Sequence, residues 1–138
     1  MKSNFFYLFL LVFCIVTFLA FFSSVQGKSG QVSEGQELFK THCAKCHGQE
    51  GEGFLRLYPP LQNSRFLGTD VARLPCIMRN GLKGEIKVGD VTFNQIMPGN
   101  ERLSAEHMKQ LIIFMQNAWK HPRTQLSVQD WLTNCSST

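Results

Sequence analysis

Three residues that can bond a cofactor or a metal lie close together in the segment THCAKCHGQEGEG, residues 41–53. Cys43 and Cys46 are three positions apart, and His47 follows directly. On a helix, residues at positions i, i+3 and i+4 share one face, so both thiols and the imidazole would point in the same direction. The chain has only five cysteines and four histidines, and this concentration therefore needs a chemical explanation.

Several kinds of site use closely spaced cysteines, and most explain only part of this cluster. A thioredoxin-like redox pair needs a strand–helix–strand setting, which the flanking sequence lacks. A structural zinc site needs four ligands at characteristic spacings, and Cys76 and Cys135 are far from any second ligand pair. A disulfide between Cys43 and Cys46 gives His47 no role. Attachment of a c-type haem explains all three residues, because each thiol bonds a haem vinyl group and the imidazole ligates the iron.

The second face of such an iron needs another ligand or stays open. The candidates are the other methionines and histidines, namely Met78, Met97, Met108, Met115, His42, His107 and His121. Met108 and Met115 fall on the apolar stripe of a predicted helix, Met78 lies within a shorter one, and His42 is predicted to face away from the haem. Met97 lies in a predicted loop 50 residues after His47, followed by Pro-Gly. A loop can bring a thioether over the haem, so Met97 is the predicted ligand.

Two helices are predicted to position these residues. Ser33 and Gln36 have the spacing of an N-cap and capping box, which predicts a helix from there to about Gly48. Ser104 is the predicted N-cap of a later helix, in which apolar residues recur at helical spacing as far as Trp119.

The segments between these helices are shorter. A helix is predicted over 70–80, with Pro75 inside it and Gly81 after it. EIKVGDVTF alternates around Gly-Asp and predicts a hairpin, whereas LYPPLQNS and NQIMPGN are predicted to be extended chain and loop. Loops this long in a small domain indicate that a large group organises them.

The N-terminus resembles an export signal. After Met-Lys the chain is apolar from Phe5 to Phe22, with few interruptions, and then polar and small. This predicts a secretory signal cleaved after Gly27. The 18 residues of 5–22 would also just span a bilayer, so an uncleaved membrane anchor remains open. The predicted organisation is a signal or anchor over 1–27, one domain over 28–122 and a C-terminal tail over 123–138, with the domain in the periplasm or on the outer face of the cytoplasmic membrane.

Charge and the remaining cysteines restrict the function further. The formal net charge of +4 falls to +3 if Lys2 leaves with the leader. This charge is too small for a nucleic-acid footprint, and no basic helix supports one. Cys76 and Cys135 are not needed for haem, and in an oxidising compartment they are predicted to form a disulfide that tethers the tail.

With these motifs the chain resembles the monohaem class I cytochromes c, in particular bacterial members with PPL after the haem motif and Met-Pro before the last helix. The resemblance covers about residues 33–119. It implies an all-α fold of three to four helices around one covalent haem c, with a small β-hairpin. It also implies that Gly35 and Phe39 pack against Leu111 and Phe114.

The resemblance assigns further site residues. Pro59, with Pro60 as the alternative, would accept a hydrogen bond from His47 through its carbonyl. Leu61 would pack on the haem edge, and burial of the haem against Phe39, Leu61 and Leu111 would raise its reduction potential. Met97 would be the second iron ligand, opposite His47.

The implied function is electron transfer without catalysis, between donor and acceptor proteins that the sequence does not identify. One alternative is an electron-entry subunit of an exported dehydrogenase or oxidase. A second is a haem peroxidase or a gas sensor, which would need an open iron position.

Overall fold

The computed structural model describes residues 2–135, and the side chains of residues 7–19 and 34–135. The chain divides into two compact units, residues 1–31 and 32–138. Helix α1, Lys2–His42, begins in the first unit and ends in the second. Among the described side chains, no helix combines the length and the apolar character needed to cross a membrane.

The start of α1 differs from the prediction. The chain is helical on both sides of Ser33, so the predicted N-cap there is wrong. A cap is needed only where backbone N–H groups lack helical partners, and in a continuing helix they have them. At its other end, α1 stops at His42, and a single turn, α2 (Ala44–His47), follows. Gly48, with φ of 82°, ends this turn at the predicted position.

The last strong helix, α4, spans Ala105–Ala118 and has the predicted cap. The Ser104 hydroxyl accepts a hydrogen bond from the His107 N–H at 3.1 Å, and the His107 ring accepts one from the Ser104 N–H at 3.4 Å. A histidine thus takes the place of the usual Glu or Gln in the capping box. The helix buries one apolar face, which consists of Met108, Leu111, Ile112 and Met115.

The end of α1 crosses α4 at close range. A Cβ on Gly35 would collide with the backbone oxygen of Gln110 and with the Cβ of Phe114. The ring centroid of Phe39 lies 5.7 Å from those of both Phe114 and Trp119. The predicted packing of Gly35 and Phe39 on the last helix is therefore confirmed, with Phe114 as a direct partner and Trp119 as an additional one.

The middle of the chain is made of short elements. Two 3₁₀ helices, Arg65–Leu67 and Val71–Arg73, lead into α3, Leu74–Asn80. Pro75 lies in the first turn of α3, where its missing N–H has no helical partner to lose. The prediction of one helix over 70–80 is therefore correct in place, although its first turn is 3₁₀.

Two small antiparallel strand pairs follow. Strands β2 (Ile86–Val88) and β3 (Val91–Phe93) form the predicted hairpin. Strands β1 (Gly81–Leu82) and β4 (Met97–Pro98) also pair, whereas the sequence predicted only a loop around Met97. The mainly helical fold with small strands confirms the predicted fold class.

The C-terminal segment packs on the domain. Helix α5, Val128–Thr133, contacts α4 and α3. Val128 is buried in the common core, and Trp131 and Leu132 pack against it. Cys76 of α3 and Cys135 have their sulfur atoms at bonding distance and their Cα atoms 5.5 Å apart.

Candidate functional site

The predicted site residues from both halves of the second unit line one cleft. Its wall is largely apolar, and no residue that lines it is an aspartate, glutamate, lysine or arginine within the part of the chain that the structure describes. The site residues on the wall are Cys43, Cys46, His47, Pro59, Leu61 and Met97. The apolar members include Phe66, Leu67, Leu74, Ile77, Leu82, Ile86, Val88, Phe93 and Ile96.

His47 is buried, with 8% of its surface exposed, and its orientation is fixed by the backbone. Its Nδ1 lies 2.9 Å from the carbonyl oxygen of Pro59. A carbonyl only accepts, so Nδ1 donates the proton and the lone pair of Nε2 is free to bind a metal. Burial lowers the pKa of His47, while the bond to Pro59 acts in the opposite direction. The ring is therefore held in the neutral form that ligates metals.

The two thiols at the cleft are chemically available. Cys43 and Cys46 are both free, and both line the cleft. Burial, with a smaller contribution from neighbouring Cys46, raises the pKa of Cys43 to about 12. A thiol that stays protonated forms disulfides slowly, because the thiolate is the reactive species. The Cys43 thiol is therefore held in its protonated form in the described cleft.

The segment that carries Pro59 is fixed by close backbone contacts. The N–H of Leu61 donates to the carbonyl of Gly51 at 2.8 Å. Gly53, with φ of 76°, approaches the backbone of Tyr58 and Pro60 so closely that a Cβ would collide. These contacts bring the Pro59 carbonyl within hydrogen-bonding distance of His47.

Met97 reaches the cleft from the β1–β4 pair, in which it lies opposite Leu82. Gly81 lies so close to the Met97 carbonyl that a Cβ there would collide with it. Met97 is not alone, because Met78 of α3 and Met115 of α4 also line the cleft. These two are 5% and 3% exposed and belong to the packed core.

Some expectations for the surroundings of the site are wrong. His42 was predicted to face away but lines the cleft. It is the last residue of α1, whereas Cys46 and His47 lie on the separate turn α2, so one continuous helical register no longer relates the three side chains. Phe39 and Leu111 do not line the cleft; both are buried in the core cluster. Leu61 lines the cleft.

The donor set fits a haem better than a protein-only metal site. Within the described residues, no group of three or more histidine, cysteine or acidic side chains is arranged to hold a metal ion. An apolar cleft with two free thiols, one imidazole with a free Nε2 and a thioether supplies the groups that a covalent haem requires. The sequence offered His42 and Met115 only as alternative ligands and did not place them in the cleft wall, because their positions there depend on how distant segments meet.

Comparison with known proteins gives a consistent result. The sequence profile of the family described as Cytochrome c matches residues 32–119. Cytochrome c-552 of Thermus thermophilus is 28% identical over 91 residues, which are 63% of this chain and 69% of that protein. A second cytochrome c-552 of the same species is also 28% identical, with 61% of its length covered. The cytochrome c subunit of a Gluconobacter oxydans quinone alcohol dehydrogenase is 29% identical over 101 residues, which are 70% of this chain but only 20% of that subunit.

Proposed function

This chain belongs to the cytochrome c family, and we propose that it is an electron carrier whose haem iron is ligated by His47 and Met97. Proteins of this family bind haem c covalently, and haem c, with its iron, is the cofactor of this chain. When bound, the haem supplies an iron that gains and loses one electron. The observation that carries the proposal is that Cys43, Cys46, His47 and Met97 all line one apolar cleft.

Each site residue has a separate role in this proposal. Cys43 and Cys46 form the thioether bonds, and His47 offers Nε2 to the iron. The Pro59 carbonyl orients the imidazole and increases its basicity through the bond to Nδ1. Met97 offers its thioether from the β1–β4 strand pair. A thioether ligand raises the reduction potential of the iron. Leu61 and the apolar wall exclude water from the ring edge.

The choice of Met97 is tested against the two other methionines of the cleft. Met97→Ala should abolish the weak near-infrared sulfur-to-iron band of the oxidised protein, lower the potential and allow cyanide to bind readily. Met78→Ala and Met115→Ala should keep the band, because their side chains fill the core. If the band survives in Met97→Ala and is lost in Met78→Ala or Met115→Ala, the assignment is wrong.

Two protein ligands leave no open position on the iron, so we propose a carrier rather than a peroxidase or a gas sensor. The wild-type protein should bind carbon monoxide poorly and turn over hydrogen peroxide no faster than other six-coordinate haem proteins. Peroxide turnover far above that level in the wild type would favour the enzyme alternative.

A second candidate function is an electron-entry subunit of a larger complex. The likeness to part of the Gluconobacter oxydans dehydrogenase subunit favours it. Purification of the native protein in mild detergent separates the candidates, because a subunit should elute with a dehydrogenase or oxidase and a shuttle should elute alone.

We also propose that the domain works outside the cytoplasmic membrane. Residues 1–27 would be the signal or anchor, residues 28–122 the haem domain and residues 123–138 the tethered tail. The pairing of Cys76 with Cys135 supports an oxidising compartment. The mass of the native haem protein tests the leader: loss of residues 1–27 indicates cleavage, and the full mass in the membrane fraction indicates an anchor.

A further inference from the structure

The methionine segment and the haem-attachment segment meet at the edge of the cleft. His42 is the last residue of α1 and directly precedes Cys43. Its Nδ1 lies 3.3 Å from the side-chain nitrogen of Asn100, which is three residues beyond Met97. Neither residue was assigned a role by its sequence pattern, yet the pair joins the two parts of the chain that would hold opposite faces of the iron.

The orientation of the Asn100 side chain is determined by its other partner. The Asn100 Oδ1 accepts a hydrogen bond from the Arg102 N–H at 3.1 Å, so the amide nitrogen is the group that points at His42. An amide nitrogen is a donor, and Nδ1 of His42 must therefore accept. This arrangement defines a single bond direction, from the amide nitrogen of Asn100 to Nδ1 of His42.

The backbone of Asn100 is tied to the other wall of the cleft. Its N–H donates to the carbonyl of Met78, at the end of α3, at 2.8 Å. Gly99 lies against the backbone of Arg79 and Asn80 with no room for a Cβ. The methionine segment is thus held firmly on the α3 side, and the side chain of Asn100 extends that support to the end of α1.

We propose that His42 and Asn100 are positioning residues, and that their hydrogen bond, the His42–Asn100 bridge, holds Met97 over the iron. The inference rests on the proposed ligation by Met97. Without the bridge, the methionine segment would keep its attachment to α3 but lose its attachment to the segment that carries the haem. The iron–sulfur bond would then open more often.

An added ligand measures this opening directly. Imidazole must displace Met97 from the oxidised iron before it binds. The apparent affinity for imidazole therefore rises by the same factor by which the equilibrium constant for the iron–methionine bond falls. The bridge is an exposed hydrogen bond, and its loss should make imidazole bind about threefold tighter. The sulfur-to-iron band should weaken in parallel.

The variants are His42→Leu and Asn100→Ala, each purified with covalent haem. Both should bind imidazole about threefold tighter, and the double variant should gain no more than either single one, because both remove the same bond. His42→Asn should restore wild-type affinity, since an amide oxygen can accept in place of Nδ1. The matched controls are Thr41→Leu, at the exposed position before His42, and Asn94→Ala, at an exposed position three residues before Met97; both should behave as wild type.

The outcomes separate this inference from the proposed function. If Met97→Ala retains the sulfur-to-iron band, the ligand assignment fails and the bridge has nothing to hold. If Met97→Ala loses the band but both single variants bind imidazole as the wild type does, the bridge alone is refuted. Additive effects in the double variant, or no rescue by His42→Asn, would also refute it, because the two residues would then act independently.

Discussion

At the level of single residues, the site depends on backbone atoms as much as on side chains. The partner of His47 is the Pro59 carbonyl, and the Met97 carbonyl is approached closely by Gly81. A backbone carbonyl remains when the side chain of its residue is substituted. The orientation of the proposed ligands, His47 and Met97, therefore depends on the glycines that allow these close backbone contacts and on the packing that fixes the loops.

The two thiols provide a direct test at this scale. Cys43→Ala and Cys46→Ala should each retain one thioether bond, which shifts the pyridine haemochrome spectrum towards that of a haem with one unreacted vinyl group. Cys14→Ser is the matched control, because Cys14 is exposed and lies outside the cleft. Haem that separates from the wild-type polypeptide in acid and acetone would refute covalent attachment.

At the level of elements, the crossing of α1 and α4 supports the haem-binding segment. Phe39 is 1% exposed, and Gly35 permits contact between the two backbones. The cysteine–histidine segment begins directly after α1, so the position of this crossing determines where the thiols lie. A change in the crossing should therefore affect both stability and haem environment.

Gly35→Val tests the crossing. The added side chain collides with the Gln110 backbone oxygen and the Phe114 Cβ, and overpacking of this kind costs about 1–3 kcal/mol. Denaturant unfolding of the oxidised haem protein should show this loss in the free energy of unfolding. Gln36→Ala, at the next and exposed position, should stay within about 0.5 kcal/mol of wild type. Equal stability of Gly35→Val and wild type would contradict the close approach of the helices.

At the level of the whole molecule, the tail becomes part of the domain. Helix α5 packs on α3 and α4, and Cys135 meets Cys76 on α3. The neighbours of Cys76 in α3, Ile77 and Met78, line the cleft. The tail therefore supports the far side of the helix that forms one wall of the haem site.

A disulfide between Cys76 and Cys135 should stabilise this arrangement. The two cysteines are 59 residues apart in sequence, and a loop of this length corresponds to about 4 kcal/mol in the chain-entropy model. Peptide mapping without reduction should find both thiols blocked, and Cys76→Ser/Cys135→Ser should lower the free energy of unfolding by up to that amount. Alkylation of both cysteines in the native, unreduced protein would refute the bond.

Most of the secondary-structure elements could be predicted from strong local sequence patterns. The Cys-x-x-Cys-His segment, the Ser104 cap and the alternating hairpin each depend on neighbours within a few residues, so the sequence was sufficient to predict them. The start of the first helix was predicted wrongly, because a capping pattern at Ser33 does not show whether the preceding chain is already helical. Local sequence signals identify the presence of a helix or strand better than they identify the residue at which it begins or ends.

The sequence by itself identified the residues of the proposed chemistry: two thiols, an imidazole and a thioether, with prolines and glycines in the loops between them. Only the tertiary structure decided which groups surround that chemistry. It brought His42 to the cleft and to Asn100, 58 residues away in sequence, and it added Met78 and Met115 to the wall. It also buried Phe39 and Leu111 in the core cluster and left both out of the cleft wall. These differences share a physical reason, because contacts between distant segments depend on helix crossing and loop closure, which leave no periodic signal in the chain.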